Sequence, residues 1–427
     1  MDAQALALQF QLEETEWWPP EKLQAHQFRQ IQNVIDHAQA TVPFYRERLA
    51  PFAGWVPGLL TMERFAEIPI LTRQEVQEAG KRLHARRLPP GHSPTAPVRT
   101  SGSTGRLVEV LGTPVTAIML NALTMRGHLW HQRDLSAKNL SIRWPRGDGG
   151  KPGRWAPLPR TGPNHIIDIK QPLSVLFESL LREDPVYLQS YPSIIYGLAQ
   201  LSAETGRKPG KLRQVRTYGE TLDPEIRELC REVWGLPMVD NYSAEEVNTV
   251  AHQCPETENL HVQSENVLME VLDDRDRPCK PGESGRVVVT SLLNYATPLI
   301  RYELRDMVEV SEPCPCGRGL PALKRVLGRV RNLVTLPTGE RYRPRIGFKR
   351  LKAVAPIDFV QLVQTSLDHV EVRIAADRQV SREEEERMTE IIQAKLHYPF
   401  NLTFTYHDQI ARGARGKFEQ FRSELPP

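Results

Sequence analysis

The sequence predicts an α/β protein with a large N-terminal domain of mixed β-sheets and helices, followed by a small C-terminal α+β domain. Three observations predict it. Between 173 and 241, short apolar runs of strand length alternate with segments of helical period, the texture of a partly parallel sheet. From 266 to 310 the helices give way to strands separated by turn signals such as DDRDRP and KPGESG, which reads as an antiparallel subdomain. After Gly328 the order becomes strand, strand, acidic-headed helix, strand.

The 427 residues are 40% apolar and 25% charged, with 27 Gly and 35 Pro, the make-up of a folded chain rather than a disordered or collagen-like one. At roughly 100–200 residues per domain the length suits two or three domains. A net charge of +3 removes the simplest argument for nucleic-acid binding, and no nucleic-acid partner is expected. The N-terminal MDAQALALQFQLEETEWWPP lacks the basic flank and apolar run of a signal peptide, and no stretch approaches the ~20 apolar residues of a membrane span. The expectation is a cytoplasmic protein with no membrane association, whose cysteines stay reduced and serve metal or catalysis rather than disulfides. The oligomeric state is not legible.

In chain order, Leu23, Phe28, Ile31, Val34, Ile35 and Ala38 recur at helical spacing until Pro43 ends the pattern. A second helix is expected over 68–83, opened by Pro69 and Thr72. A Pro-rich approach then leads into Ser101-Gly102-Ser103-Thr104-Gly105 and an alternating strand with Leu107, Glu109 and Leu111. Residues 144–163 hold too much Pro and Gly for regular structure and read as a long surface loop, its Arg and Lys suited to border an anion site. Helices are expected over 173–181, 193–202 and 223–233, and buried strands over 186–188, 215–218 and 238–241. The tail strands are VQLVQT, VEVRIAA and LTFTY, with the helix SREEEERMTEIIQAKLHY between the last two. The domain boundary falls at Arg329, giving domains 1–328 and 329–427.

Two constellations carry chemistry. The loop from Ser101 to Gly105 offers hydroxyls and unencumbered backbone amides, the donors that cradle polyphosphate, although the Gly-Lys-Ser/Thr ending of a Walker loop is missing. Cys254, His261, Cys314 and Cys316 form two close-spaced pairs of soft ligands, each in a turn with Pro or Gly, and Cys₃His is a tetrahedral structural zinc set. Their spacing departs from the usual finger. Cys230 reads as buried filler in a helix and Cys279 as an exposed thiol in a turn.

The loop has company: Tyr218-Gly219-Glu220, Asp240-Asn241-Tyr242-Ser243-Ala244-Glu245-Glu246, Arg301-Tyr302-x-x-Arg305-Asp306, Gly328-Arg329 and Gly416-Lys417, in that order. This series resembles the adenylate-forming superfamily of acyl-coenzyme A ligases, adenylation domains and luciferases over nearly the whole chain. VPFYRERL, IRYELRD and CPCGRGLPALKRVLGR resemble its phenylacetate-coenzyme A ligase branch in particular. The resemblance implies ATP-dependent activation of a small, aromatic-type carboxylic acid as acyl-AMP with pyrophosphate release, then transfer to an acceptor, by family default coenzyme A.

By the same resemblance, Ser101 to Gly105 hold the β- and γ-phosphates and Glu246 contacts Mg²⁺, a hard cation that prefers oxygen ligands. Asp306 accepts the ribose hydroxyls. Gly219, Glu220, Asn241, Tyr242 and Ser243 line the adenosine, and Tyr191, Tyr218 and Ala244 the acyl pocket. Arg329 reaches the nucleotide from the domain junction, and Arg331 is the hinge about which a mobile C-terminal domain turns. Lys417 of that domain bridges the carboxylate and the α-phosphate, so that Lys417, Glu246 and Arg329 form the catalytic set. In the branch, segments like those of Cys254, His261, Cys314 and Cys316 are joined through zinc.

Four departures from the family pattern stand out. Ser243 replaces Gly, and Glu245 takes the place of a Ser or Thr beside the α-phosphate, where a second carboxylate repels phosphate unless it turns away or shares the metal. Arg106 and Leu107 replace the usual Lys and Pro. Arg331 replaces an Asp or Lys, and LVTLPTGERYRP after it differs from the segment associated with coenzyme A ligases, which bears on the second step. An amine or other nitrogen acceptor, or an unusual acid, is the alternative within the chemistry, and a catalytically silent nucleotide-binding homologue is the alternative outside it.

Overall fold

The computed structural model describes residues 3–52, 60–100, 107–145, 153–376 and 378–425. The loop Ser101-Gly102-Ser103-Thr104-Gly105, with Arg106 and Arg146, lies outside the described residues.

In chain order the strands are a hairpin of β1 (Ala96–Thr100) and β2 (Val108–Gly112), then β3 (Asn139–Arg143), β4 (Asn164–Asp168), β5 (Tyr187–Ser190), β6 (Gln214–Tyr218), β7 (Met238–Ala244), β8 (Asn248–Gln253), β9 (Leu260–Val262), β10 (Val267–Leu272), β11 (Ser284–Ser291), β12 (Tyr302–Val310) and β13 (Ala322–Arg329). From β3 to β13 they form one 11-stranded sheet in the order β10-β11-β12-β13-β9-β8-β7-β6-β5-β3-β4. The pairs among β3 to β7 are parallel and the rest antiparallel. Parallel pairing needs crossovers, and the helices Leu173–Glu183, Pro192–Thr205 and Pro224–Trp234 supply them. They cover one sheet face, where Leu140, Ile142, Leu188, Val215 and Met238 share a core with Leu176, Leu180, Ile195 and Leu198.

The antiparallel strands expected as a separate subdomain are continuous with this sheet, because β8 turns back antiparallel on β7 and hands the pairing on to β9. The expected helix over 68–83 is shorter. It runs Arg73–Ala79, started by a Thr72–Glu75 capping box, then tightens into a 3₁₀ turn, Gly80–Leu83, while Leu71 is spent on a backbone bridge to Tyr302. In β2 the buried residues are Val108 and Val110, and Leu107 is 56% exposed, so the apolar phase is one residue from that expected. The region 144–163 is not wholly at the surface: Trp155 is buried against His128 and Tyr187. Cys230 is buried as expected, whereas Cys279 is half-buried, its sulfur against the backbone of Gly285.

Beyond β13, β14 (Val334–Thr335) pairs with β15 (Arg341–Tyr342). Then β16 (Ile357–Gln364), β17 (His369–Ala376), β18 (Asn401–Tyr406) and β19 (Phe421–Ser423) form a 4-stranded sheet in the order β18-β17-β16-β19. The helix Arg382–Lys395, opened by a Ser381–Glu384 capping box, lays Met388 and Ile392 on it, and with Val360, Leu362, Val372 and Ile374 they make a second core. No described helix is long and apolar enough to cross a membrane.

Candidate active site

Sheets of this topology bind ligands beyond the carboxyl ends of their parallel strands. Here a cleft of about 2540 Å³ opens at that edge, walled on the far side by the segment that carries Lys417. Asp306, on β12, is half-buried in its floor. Its Oδ2 accepts the Tyr242 hydroxyl at 2.8 Å, and its Oδ1 lies 3.9 Å from Nε of Arg329, which β13 holds directly opposite. Burial raises the Asp306 carboxyl above its ordinary range, opposed by the charge of Arg329, the Tyr242 hydroxyl and Lys417.

Lys417 reaches this pocket because its loop is tied down at three points. The Phe418 N–H donates to the Glu220 carboxylate at 2.6 Å, Arg412 donates to the Ser193 hydroxyl at 2.9 Å, and the Tyr191 hydroxyl donates to the Arg415 carbonyl at 3.2 Å. Glu220 also accepts the backbone and hydroxyl of Ser193, at 2.9 and 3.1 Å, so its carboxylate joins the start of the helix Pro192–Thr205 to the lysine loop. Gly219 is glycine for a visible reason: its φ is +79°, and a Cβ there would lie 3.1 Å from the Tyr191 ring and 3.4 Å from Cε of Lys417. Burial lowers the Lys417 ammonium from its ordinary value, with Arg329 adding to the shift and Asp306 and Glu220 opposing it.

The two adjacent glutamates have separate partners. Glu246 Oε1 takes Nη1 of Arg73 at 3.0 Å while Nη2 of Arg73 donates to the Thr100 hydroxyl, and Oε2 makes no hydrogen bond among the described residues. Glu245 turns away from Glu246 to pair with Arg415, which also donates to the Arg99 carbonyl at 2.7 Å. Ser243 is exposed and Ala244 half-exposed, and both line the cleft with Tyr191, Tyr218 and Asn241. Tyr218 packs edge-on to Tyr191 with ring centres 5.2 Å apart. Asn241 is anchored by His252 at 2.8 Å. Arg331, in the 3₁₀ turn Val330–Asn332, donates from Nε to Glu419 at 3.0 Å, two residues past Lys417. Sequence reasoning missed Arg73, Arg412 and Arg415, and expected the Tyr191-Pro192-Ser193 stretch at the acyl pocket without the bonds of Ser193 to Glu220 and Arg412. Arg412 and Arg415 were visible as the basic run ARGARGK, but nothing local shows what they meet.

Cys254, His261, Cys314 and Cys316 come together with all four ligand atoms within 4.8 Å of one another. The sulfurs of Cys314 and Cys254 are 3.8 Å apart, and that of Cys316 is 3.2 Å from Nε2 of His261. With Zn–S bonds of about 2.3 Å, a tetrahedron has edges of about 3.8 Å. Nδ1 of His261 faces the Leu320 carbonyl at 3.3 Å, which leaves Nε2 for the cluster.

No protein-family model matches the chain. Among curated proteins it is 24% identical over 407 residues to a phenylacetate-coenzyme A ligase of Thermus thermophilus, covering 90% of this chain and 89% of that one. A phenylacetate-coenzyme A ligase of Pseudomonas putida is 24% identical over 309 residues, 67% of this chain and 66% of the other. Among solved structures, 2-hydroxyisobutyryl-CoA ligase in the postadenylation state with 2-HIB-AMP superposes with a TM-score of 0.75 at 19% identity, covering 96% of this chain and 92% of that one. The same ligase in its thioesterification state and in an open conformation gives 0.63 and 0.60. The fold is that of the adenylate-forming ligases. Within that superfamily the sequence is similar to phenylacetate-coenzyme A ligases.

Proposed function

We propose that the protein uses ATP to activate a small carboxylic acid as its acyl-adenylate, releasing pyrophosphate, and then transfers the acyl group to coenzyme A. The observation that carries the reading is the convergence of Lys417, from the loop between β18 and β19 of the small sheet, with Asp306, Arg329 and Tyr242 of the large one around a single cleft. A nucleotide-binding protein without chemistry has no use for a lysine delivered from a second core. The curated relatives are named coenzyme A ligases, and the superposed ligase is described with an acyl-AMP.

In the first step a carboxylate oxygen attacks the α-phosphorus and the bond to pyrophosphate breaks. Both reactants are anions, so catalysis consists of positioning and charge neutralisation. Asp306 accepts the ribose hydroxyls while Tyr242 holds its carboxylate in place. Gly219, Glu220, Asn241, Tyr242 and Ser243 border the adenosine, and Tyr191, Tyr218 and Ala244 the acyl group. Lys417 lies between the carboxylate and the α-phosphate, with Arg329 behind it. The loop Ser101 to Gly105 takes the β- and γ-phosphates. Glu246, with one oxygen on Arg73 and one left to the cleft, suits Mg²⁺, which when bound supplies further charge neutralisation at the phosphates. In the second step the coenzyme A thiol attacks the acyl carbon and AMP leaves.

Between the steps, the residues beyond Arg331 turn about it as a mobile domain, while Arg329, expected at the start of that domain, stays with β13 of the large sheet. The present arrangement is the one for adenylation, in keeping with the higher TM-score to the postadenylation state than to the thioesterification state. Cys254, His261, Cys314 and Cys316 suit a structural Zn²⁺ with no open position. A cytoplasmic site of action goes with the supply of ATP and coenzyme A.

The test is ATP–pyrophosphate exchange across a carboxylic-acid panel, followed by mass analysis of products formed with coenzyme A or with amines. Exchange with at least one acid and an acyl-coenzyme A product are expected. An amide product moves the acceptor to nitrogen, and absence of AMP with every acid contradicts the reading.

A further inference from the structure

The parallel half of the large sheet has two unlike faces. Toward the crossover helices it presents Leu140, Ile142, Leu188, Val215 and Met238. Toward the cleft, the same pairings align Asn164 with Asn139, and Ser141 with Gln189 and Arg216, with Asn241 beside Tyr218. All of these but Asn139 line the cleft. Arg216 stands two residues before Tyr218 on the same face of β6, roughly 7 Å deeper along the strand and away from Lys417.

Arg216 is only 6% exposed and pairs with no carboxylate among the described residues. Its Nη2 donates to Asn139 at 2.8 Å, its guanidinium lies 5.6 Å from the Trp155 ring centre, and its Nε has no hydrogen-bond partner. Arg133, from the turn after the helix Pro114–Trp130, comes beside it. It donates to the Gln214 side chain and the Gly127 carbonyl, each at 2.6 Å, and its Nη2 is likewise unpartnered. Burial pushes the Arg216 guanidinium down to about 10, and burial first and then the Arg216 charge hold Arg133 below its ordinary value. Buried guanidinium groups are ordinarily matched by carboxylates, as Arg126 and Arg301 are here by Glu265 and Glu270. Arg216 lacks any among the described residues, with half-buried Arg133 beside it, and where the two line the cleft they make a site for an anion that the ligand brings. A plain aryl or alkyl acid would strip water from Arg216, Gln189 and Ser141 and return nothing.

We infer that the acid activated by this protein carries a second anionic group, in its simplest form a short dicarboxylic acid, whose far carboxylate is held by Arg216 and Arg133 while the near one faces Lys417. The inference rests on the adenylation reading for the identity of the pocket.

The experiment compares short dicarboxylic acids with their monomethyl esters in ATP–pyrophosphate exchange, for the wild type and Arg216→Met. A diacid is expected to exceed its half-ester in kcat/KM by about 10²-fold or more, since a site built for a polar group rejects the analogue lacking it, and Arg216→Met to cut that ratio about tenfold or more, chiefly through KM. A half-ester or unsubstituted acid as good as any diacid, or an unchanged ratio in folded Arg216→Met, overturns the inference. Arg133→Met serves if Arg216→Met does not fold. If no acid supports exchange, the adenylation reading has failed, and calorimetric titration of the same acids decides the pocket separately: binding of a diacid over its half-ester that depends on Arg216 supports the inference, and its absence contradicts it.

Discussion

Glu245 shows how a partner can answer a charge that looks disabling in the sequence. Beside Glu246 it doubles the negative charge where the proposed function puts the triphosphate, but its carboxylate is taken by Arg415 from the lysine loop. The pair is part-exposed, 42% for Glu245 and 37% for Arg415. A coupling of about 0.5–1 kcal/mol is therefore expected from a double-mutant cycle of Glu245→Ser and Arg415→Ala, read in ATP–pyrophosphate exchange. Additive effects would contradict the contact. Arg331 and Glu419 make a second tie at the junction. These partners were illegible in the sequence because each pair joins positions 88 or more apart, whereas Asp306, Arg329 and Lys417 were legible through the order of their motifs.

Among the elements, what could be read followed from sidedness. The helices near 173, 193 and 224 and the strands β5, β6 and β7 were recognisable because one face of each is apolar. The strands β3 and β4 were not, since Asn139, Ser141, Arg143 and Asn164 break the apolar run, the last three of them lining the cleft. The polar face that hid these strands is the one turned toward the cleft. The helix Ala3–Thr15 went unread for a similar reason: Leu6 and Phe10 are exposed and blur its period. Near it, Glu16 takes Arg318, whose guanidinium is 4.7 Å from the ring centres of Trp17 and Trp130, so the N-terminal segment packs on the loop of Cys314 and Cys316. A zinc there would tie the loop after β8 to the loop before β13. Protein never exposed to chelator is expected to carry about one zinc per chain, and Cys316→Ser to lose it and unfold at lower temperature. Less than about half an equivalent in the wild type would contradict the assignment.

For the whole molecule, two cores meet over one cleft. The 11-stranded sheet supplies most of the cleft wall, and the small domain adds Lys417 on a loop fastened chiefly by hydrogen bonds, Glu220 to Phe418 and Ser193 to Arg412 among them, and by the part-exposed Glu245–Arg415 pair. Such fastenings are easily broken, which suits the proposed turning of the small domain between two half-reactions. If Lys417 acts in the first step alone, its removal separates the two steps. The decisive measurement is Lys417→Ala assayed twice, for ATP–pyrophosphate exchange and for transfer from chemically prepared acyl-AMP to coenzyme A. Exchange is expected to fall by about 10²-fold or more, the scale of losing one charged group aimed at the reacting phosphate, with transfer changed less than about fivefold. Unchanged exchange, or an equal loss in both assays, would contradict the account.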